Sequence, residues 1–197
     1  MNIFIDFDDT ITMSVENVVR IVNKRFGKNV KAEDIKEWDF SDVYPDIPLK
    51  DIVDVFGEDE FFQTLRLKKD VLPTLRRYGQ YNTITIVSKV DMVAMKRKND
   101  WIKEHLIDIG ININFCGIPL GKSKGIIDMS GGIMIDDNAE FLKETNAKYK
   151  ILYKCNRKFD EEQEQEWDGY VVHNWKELDT LLKNIITKEK GYTNGKI

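Results

Sequence analysis

The sequence predicts an α/β protein built on a mostly parallel sheet, with a small helical segment inserted after the first strand. Three observations carry this prediction. Short apolar, β-rich runs alternate with stretches of helical spacing, as right-handed βαβ units require. Two of those runs end in clustered acids, Asp6-Phe7-Asp8-Asp9-Thr10 and Asp136-Asp137, and in such sheets ligands bind beyond the carboxyl ends of the strands. Residues 11–80 hold no clear strand, a gap far longer than a crossover needs.

The elements follow in order. Residues 2–7 are short, apolar and β-prone, which suits a buried strand. Val15, Val18, Val19, Val22 and Phe26 recur at helical spacing, and Gly27 follows as a stop. Residues 31–69 change character: Trp38, Phe40, Tyr44, Pro45 and Pro48 stand among acids, and short helical patterns follow at 49–56 and 59–67. Pro73 suits the N1 position of another helix that ends at Gly79. Residues 81–87 are rich in β-branched side chains and read as a strand. A helix is expected at 91–106, strands at 111–116 and 132–135, a short helix at 138–146, and strands at 149–153 and 170–172. The last helix begins with Asn174 as N-cap and Glu177 at N3, close to a capping box. The acidic run 160–166 reads as solvated, and residues 188–197 as a fraying, flexible tail. The expected division is a core from 1–12 and 81–187, a cap from 13–80, and that tail.

Composition narrows the function. The 197 residues include 30 Lys and Arg against 34 Asp and Glu, a net charge of −4. That balance disfavours a partner that is a nucleic-acid polymer or a membrane surface. No apolar run approaches the roughly 18 residues of a membrane helix. Acids stand early in the chain where a signal peptide would be basic, so a cytoplasmic location is expected. Cys116 and Cys155 form no CxxC pair, which excludes a disulfide framework and a cysteine zinc site. Both read as buried small hydrophobes. His105 and His173 are far apart and suggest no catalytic triad.

The acids carry the chemistry. In strand geometry Asp6 and Asp8 point the same way, with Phe7 opposite. Carboxylates gathered at the ends of two buried strands repel one another, and a hard cation such as Mg²⁺ would relieve that repulsion. Asp9 and Asn138, taken singly, could equally be helix N-caps. Ser88 follows the strand at 81–87, where a hydroxyl and backbone N–H groups could hold an anion. Gly121-Lys122-Ser123-Lys124-Gly125 places two lysines before the second acidic strand. It lacks the spacing of a P-loop.

The order DxDxT, strand-Ser, Lys, strand-Asp-Asp resembles the haloacid dehalogenase superfamily of phosphatases. Within it the chain is most similar to the 5′(3′)-deoxyribonucleotidase family, through Glu37-Trp38-Asp39-Phe40, Glu60-Phe61-Phe62, the run from Ile133 to Asp137, Asn156-Arg157 and Trp175-Lys176-Glu177-Leu178. The resemblance implies a Rossmann-like parallel sheet with the superfamily's core, and a Mg²⁺-dependent phosphoric monoester hydrolase. Asp6 would be the nucleophile that forms an aspartyl-phosphate. Asp8 would protonate the leaving oxygen and then activate water. Asp9, Thr10, Ser88, Lys89 and Lys124 would serve the phosphate, Thr10 by orienting the loop and Lys124 by balancing charge. Asp6, Asp8 through its backbone carbonyl, Asp137 and a supporting Asp136 would hold Mg²⁺. The implied substrate is a deoxynucleoside monophosphate, with a phosphosugar, phosphoglycolate or phosphoamino acid as the alternative, and a homodimer is a possible assembly.

Three departures stand out. Asp9 occupies a place where many relatives have Gly. Lys89 follows Ser88, where the nucleotidases have a small residue. The stretch from Lys124 to Asp136 is about two residues longer than the family pattern, so Lys122 competes with Lys124 as the motif lysine; the run Lys-Gly-Ile-Ile favours Lys124. Phe40 and Tyr44 are the candidates among the cap aromatics for stacking on a base.

Overall fold

In a computed structural model the described residues are 1–37, 39–106, 113–155, 161 and 164–194. Trp38, the first two residues of the strand expected at 111–116, Asn156, Arg157, Asp160 and two further positions of the acidic run lie outside them, as do residues 195–197.

Six parallel strands form one sheet: β1 (Asn2–Ile5), β2 (Thr83–Val90), β3 (Ile113–Pro119), β4 (Ile133–Asp136), β5 (Tyr149–Tyr153) and β6 (Tyr170–Val172), in the order β3-β2-β1-β4-β5-β6. This is the doubly wound order, and its reversal falls at β1, between β2 and β4. The central strands β1 and β4 bury both faces along most of their length, so Ile3 to Ile5 and Ile133 to Ile135 are continuously apolar. Ile3, Ile5, Ile84, Ile86, Ile133, Ile135 and Ile151 pack into one hydrophobic cluster. The alternate positions Phe4, Val87, Met134 and Leu152 pack into the other.

Helix α1 (Ser14–Phe26) buries its valine stripe in the first cluster and ends on Gly27, whose φ of 64° glycine adopts without strain. Two short helices, α2 (Leu49–Val53) and α3 (Asp59–Thr64), follow with 3₁₀ turns around them. Their apolar residues Ile52, Val55 and Phe61 join the same cluster. The chain enters and leaves this inserted stretch side by side: Thr12 bridges Leu67, Met13 N donates to Arg66 O at 2.9 Å, and Lys68 N donates to Ile11 O at 2.9 Å. Helix α4 (Val71–Gly79) starts two residues earlier than expected, which places Pro73 third in its first turn, where the missing N–H costs little.

Helix α5 (Met92–Leu106) leads to β3, and α6 (Ala139–Glu144) joins β4 to β5. The last helix, α7 (Trp175–Asn194), is capped as expected, with Glu177 N donating to Asn174 Oδ1 at 2.9 Å. Residues 188–194, expected to fray, continue this helix. β2 also runs beyond its expected end. Ser88 and Lys89 have weak strand preference, but with Val90 they pair with Gly117, Ile118 and Pro119, so the neighbouring strand decides their conformation.

Candidate active site

The loop after β1 is held tightly. Phe7 O accepts from Ile11 N and Thr12 N at 3.2 Å each and from Thr12 Oγ1 at 3.0 Å. Asp6 N donates to Ile135 O at 2.8 Å, which ties the end of β1 to β4. The two acidic strand ends therefore stand side by side. The carboxylates of Asp6, Asp136 and Asp137 are buried, and an oxygen of each lies within 4.8 Å of the others.

Lys124 lies between two of them. It is 1% exposed, and its Nζ donates to Asp6 Oδ1 at 2.5 Å and to Asp136 Oδ2 at 2.7 Å. Lys122 is exposed, so the geometry brings Lys124 and not Lys122 to the acids. The 3₁₀ turn Lys124–Ile126, capped by Ser123, aims it there. Burial raises the Asp6 carboxyl to about 7, against the pull of Lys124 and with the push of Asp136 and Asp8. Burial also raises Asp136, again against Lys124. Burial alone would lower the Lys124 ammonium, but Asp136 and Asp6 outweigh it and hold it above the usual lysine range. The Lys124 ammonium thus bridges two of these buried carboxylates, with the third, that of Asp137, beside them.

Asp8 is reached by three donors. Ser14 Oγ donates to Oδ1 at 2.8 Å, and Lys98 Nζ and Ser88 Oγ donate to Oδ2 at 2.5 and 3.3 Å. Ser88 lies within β2 and not after it, and its hydroxyl meets Lys98 and Asp8. Lys98 escapes the sequence reading. Its signal was legible: Ala94, Lys98, Trp101 and Ile102 form the buried stripe of α5, and a lysine on such a stripe is rarely buried without a partner. Ser14 gave no comparable signal.

The remaining candidates divide. Asp9 has a φ of 54°, a left-handed backbone that glycine adopts more readily than a residue with a side chain. Its Oδ1 accepts from Val15 N at 2.9 Å and so meets the first turn of α1 from outside the helix, whose N-cap position is Met13 and not Asp9. Asn138 does stand at an N-cap, that of α6, where it accepts from Phe141 N. The Thr10 hydroxyl is buried without a hydrogen-bond partner among the described residues, and its carbonyl accepts from Trp175 Nε1 at 2.9 Å. Thr12, and not Thr10, supplies the hydroxyl that braces the loop. Lys89 is half-buried, its Nζ 3.9 Å from the centre of the Phe141 ring.

A cavity of about 350 Å³ opens over these groups. Asp6, Asp8, Ser88, Lys98, Lys124 and Asp136 form its floor, and Val15, Ile35, Phe40, Leu49, Val53 and Phe56 supply an apolar wall. Phe40 reaches this wall. Tyr44 does not: it is 1% exposed among apolar side chains, and its hydroxyl donates to Asn23 Oδ1 at 3.0 Å.

Residues 1–189 match the family described as 5′ nucleotidase, deoxy (pyrimidine), cytosolic type C protein. A search of curated proteins found no match. Solved structures share the fold. A haloacid dehalogenase-like hydrolase from Streptococcus pneumoniae aligns with a TM-score of 0.59 at 14% identity, over 92% of this chain and 97% of its own. A protein described as a candidate phosphoglycolate phosphatase from Lactobacillus plantarum aligns at 0.54 and 11%, over 90% and 96%. The D,D-heptose 1,7-bisphosphate phosphatase of B. bronchiseptica, complexed with magnesium and phosphate, aligns at 0.51 and 12%, over 93% and 98%.

Proposed function

Because the chain belongs to this type C family of 5′ nucleotidases, a family of phosphoric monoester hydrolases with a haloacid dehalogenase-like fold, we propose that it hydrolyses deoxynucleoside monophosphates through an aspartyl-phosphate, with Mg²⁺ as cofactor. The observation that carries the reading is the cavity itself: a floor of buried Asp6, Lys124 and Asp136 at adjacent strand ends, under an apolar wall. Residues 13–80 act as the cap in this reading, and the core is 1–12 with 81–187.

The donor set suits Mg²⁺. Three buried carboxylates, with an oxygen of each within 4.8 Å of the others, supply the hard oxygen ligands that such a cation takes. Asp6, Asp137 and the Asp8 backbone carbonyl would hold it, with Asp136 in support. When bound, the cation lets an anionic carboxylate approach an anionic phosphate.

Asp6 attacks phosphorus: an O–P bond to its carboxylate forms as the bond to the leaving oxygen breaks. Asp8 gives that oxygen a proton. Lys124 stabilises the charge spread over the transferring group. The nucleoside lies against the wall, where Phe40 and Phe56 offer ring faces for a base and Leu49 and Val53 cover the sugar.

Phosphate release from dUMP, dTMP, UMP, 3′-dUMP, phosphoglycolate and a sugar phosphate, with Mg²⁺ and with EDTA, tests the reading. The expected result is metal-dependent turnover with deoxynucleotides clearly ahead. Equal rates on sugar phosphates would end the nucleotide assignment and keep the phosphatase.

A further inference from the structure

We propose that Lys98 is a positioning residue for the second half of the reaction, holding the Asp8 carboxylate where it takes a proton from water. The inference rests on the covalent reading above.

Lys98 is 4% exposed, yet it lines the cavity. A buried lysine needs a partner, and its ammonium has two: Asp8 Oδ2 at 2.5 Å and Ser88 Oγ at 2.9 Å. The Phe7 ring takes a further side of the ammonium, 4.7 Å from its centre. α5 is fixed beneath by Trp101, which meets Phe7 edge-on at 5.4 Å. The ammonium therefore cannot shift far without disturbing the core.

The contacts at Asp8 share one property. Ser14, Ser88 and Lys98 all donate to it. The carboxylate is arranged as a proton acceptor and tethered through both oxygens, so its rotamer is set before any ligand arrives. An acceptor in that state suits the hydrolytic step. Water attacks phosphorus of the Asp6 phosphate, the new P–O bond forms as the P–O bond to Asp6 breaks, and the water proton passes to Asp8. Inorganic phosphate leaves and the Asp6 carboxylate returns. Lys98 touches neither water nor phosphorus in this account. It acts through Asp8.

The test uses p-nitrophenyl phosphate, whose alcohol leaves without help from an acid, and follows nitrophenol release and acid-quenched phosphoenzyme together. Lys98→Met removes the ammonium and keeps an apolar stem of similar length. It should still form phosphoenzyme, so kcat/KM stays within about threefold. Its kcat should fall roughly 10–100-fold, a part of the 10²–10⁴ that a general base supplies. A burst of nitrophenol close to one equivalent should then precede the slow steady state. Lys98→Arg, which keeps a donor, should recover much of kcat. A parallel fall in kcat and kcat/KM without a burst would overturn the proposal, because it would place Lys98 in phosphate binding or the first step. Unchanged kinetics would overturn it as well. Asp6→Asn and Asp8→Asn separate the two failures. If no variant and no wild-type sample traps phosphoenzyme while turnover proceeds, the covalent reading fails. If phosphoenzyme forms and Lys98→Met clears it at the wild-type rate, only the Lys98 inference fails.

Discussion

The floor of the cavity is charged, buried and paired, whereas its wall is apolar and partly open. Asp6, Lys124 and Asp136 are each at most 5% exposed and are bonded to one another across two strands and a turn. Leu49 and Val53, on the short helix α2, are 47% and 45% exposed. The floor gains rigidity from the sheet, where each strand end is placed by its neighbour's ladder. The wall combines buried Val15, Ile35 and Phe40 with the exposed Leu49 and Val53 of the short helix α2. In the proposed function the rigid part carries the chemistry and the part that can tolerate change selects the ligand.

Asp6→Asn is the most severe way to break the floor. Turnover should fall on the order of 10⁴-fold or more, with the far-ultraviolet circular dichroism unchanged. Retained activity would remove Asp6 from the mechanism.

Lys124→Met should cost both activity and stability. Removing one partner of a buried ionic cluster strands the others, and roughly 3–5 kcal/mol of folding stability should be lost in urea titrations. Activity lost at unchanged stability would mean that the lysine is not part of the packed floor.

The pH dependence sharpens the same point. Burial raises the Asp6 carboxyl from 3.8 to about 7. The folded state therefore binds this proton more tightly than the unfolded chain does. Its contribution to stability is complete below pH 4 and is lost as pH rises through about 7. A cation offsets that loss only where Asp6 is ionised. Thermal melts with Mg²⁺ and with EDTA should differ more at pH 8 than at pH 5, each kcal/mol appearing as roughly 2–4 °C. Equal shifts at both values would contradict the assignment of Asp6 to the cation.

The wall should respond more gently. Phe40→Leu removes a ring face, so KM for a deoxynucleotide should rise about tenfold, within the roughly 1–3 kcal/mol of a stacked base. The kinetics on p-nitrophenyl phosphate should stay near wild type. Tyr44→Phe is the contrasting variant. It should leave both substrates unaffected and lower stability by about 1 kcal/mol, the loss of its bond to Asn23. An altered KM in Tyr44→Phe would place that ring at the ligand after all.

Much of the floor could be read from the chain alone. Asp6 and the Asp136-Asp137 pair are legible because each follows a short apolar run that can only be a buried strand, and parallel strands deliver their carboxyl ends to one edge. The lysine was legible as a choice between two residues, since a turn in sequence does not say which side chain points inward. The tertiary structure settles where they point: Lys124 reaches Asp6 and Asp136, and Lys122 stays at the surface.

The remaining differences depend on docking. Ser88 becomes part of β2 because β3 extends the ladder beside it. Asp9 turns to α1 and Thr12 takes the bracing role of Thr10, because hydrogen bonds within a tight loop depend on its exact path. Lys98 meets Asp8 only because α5 lays its apolar stripe under Phe7. Tyr44 and Phe40 lie four residues apart on the same inserted stretch and both join the core cluster, yet only Phe40 also lines the cavity. Local pattern determines which residues form elements and where strands end. Which face of each element is covered is decided by burial summed over the whole molecule, and that sum exists only once the chain has folded.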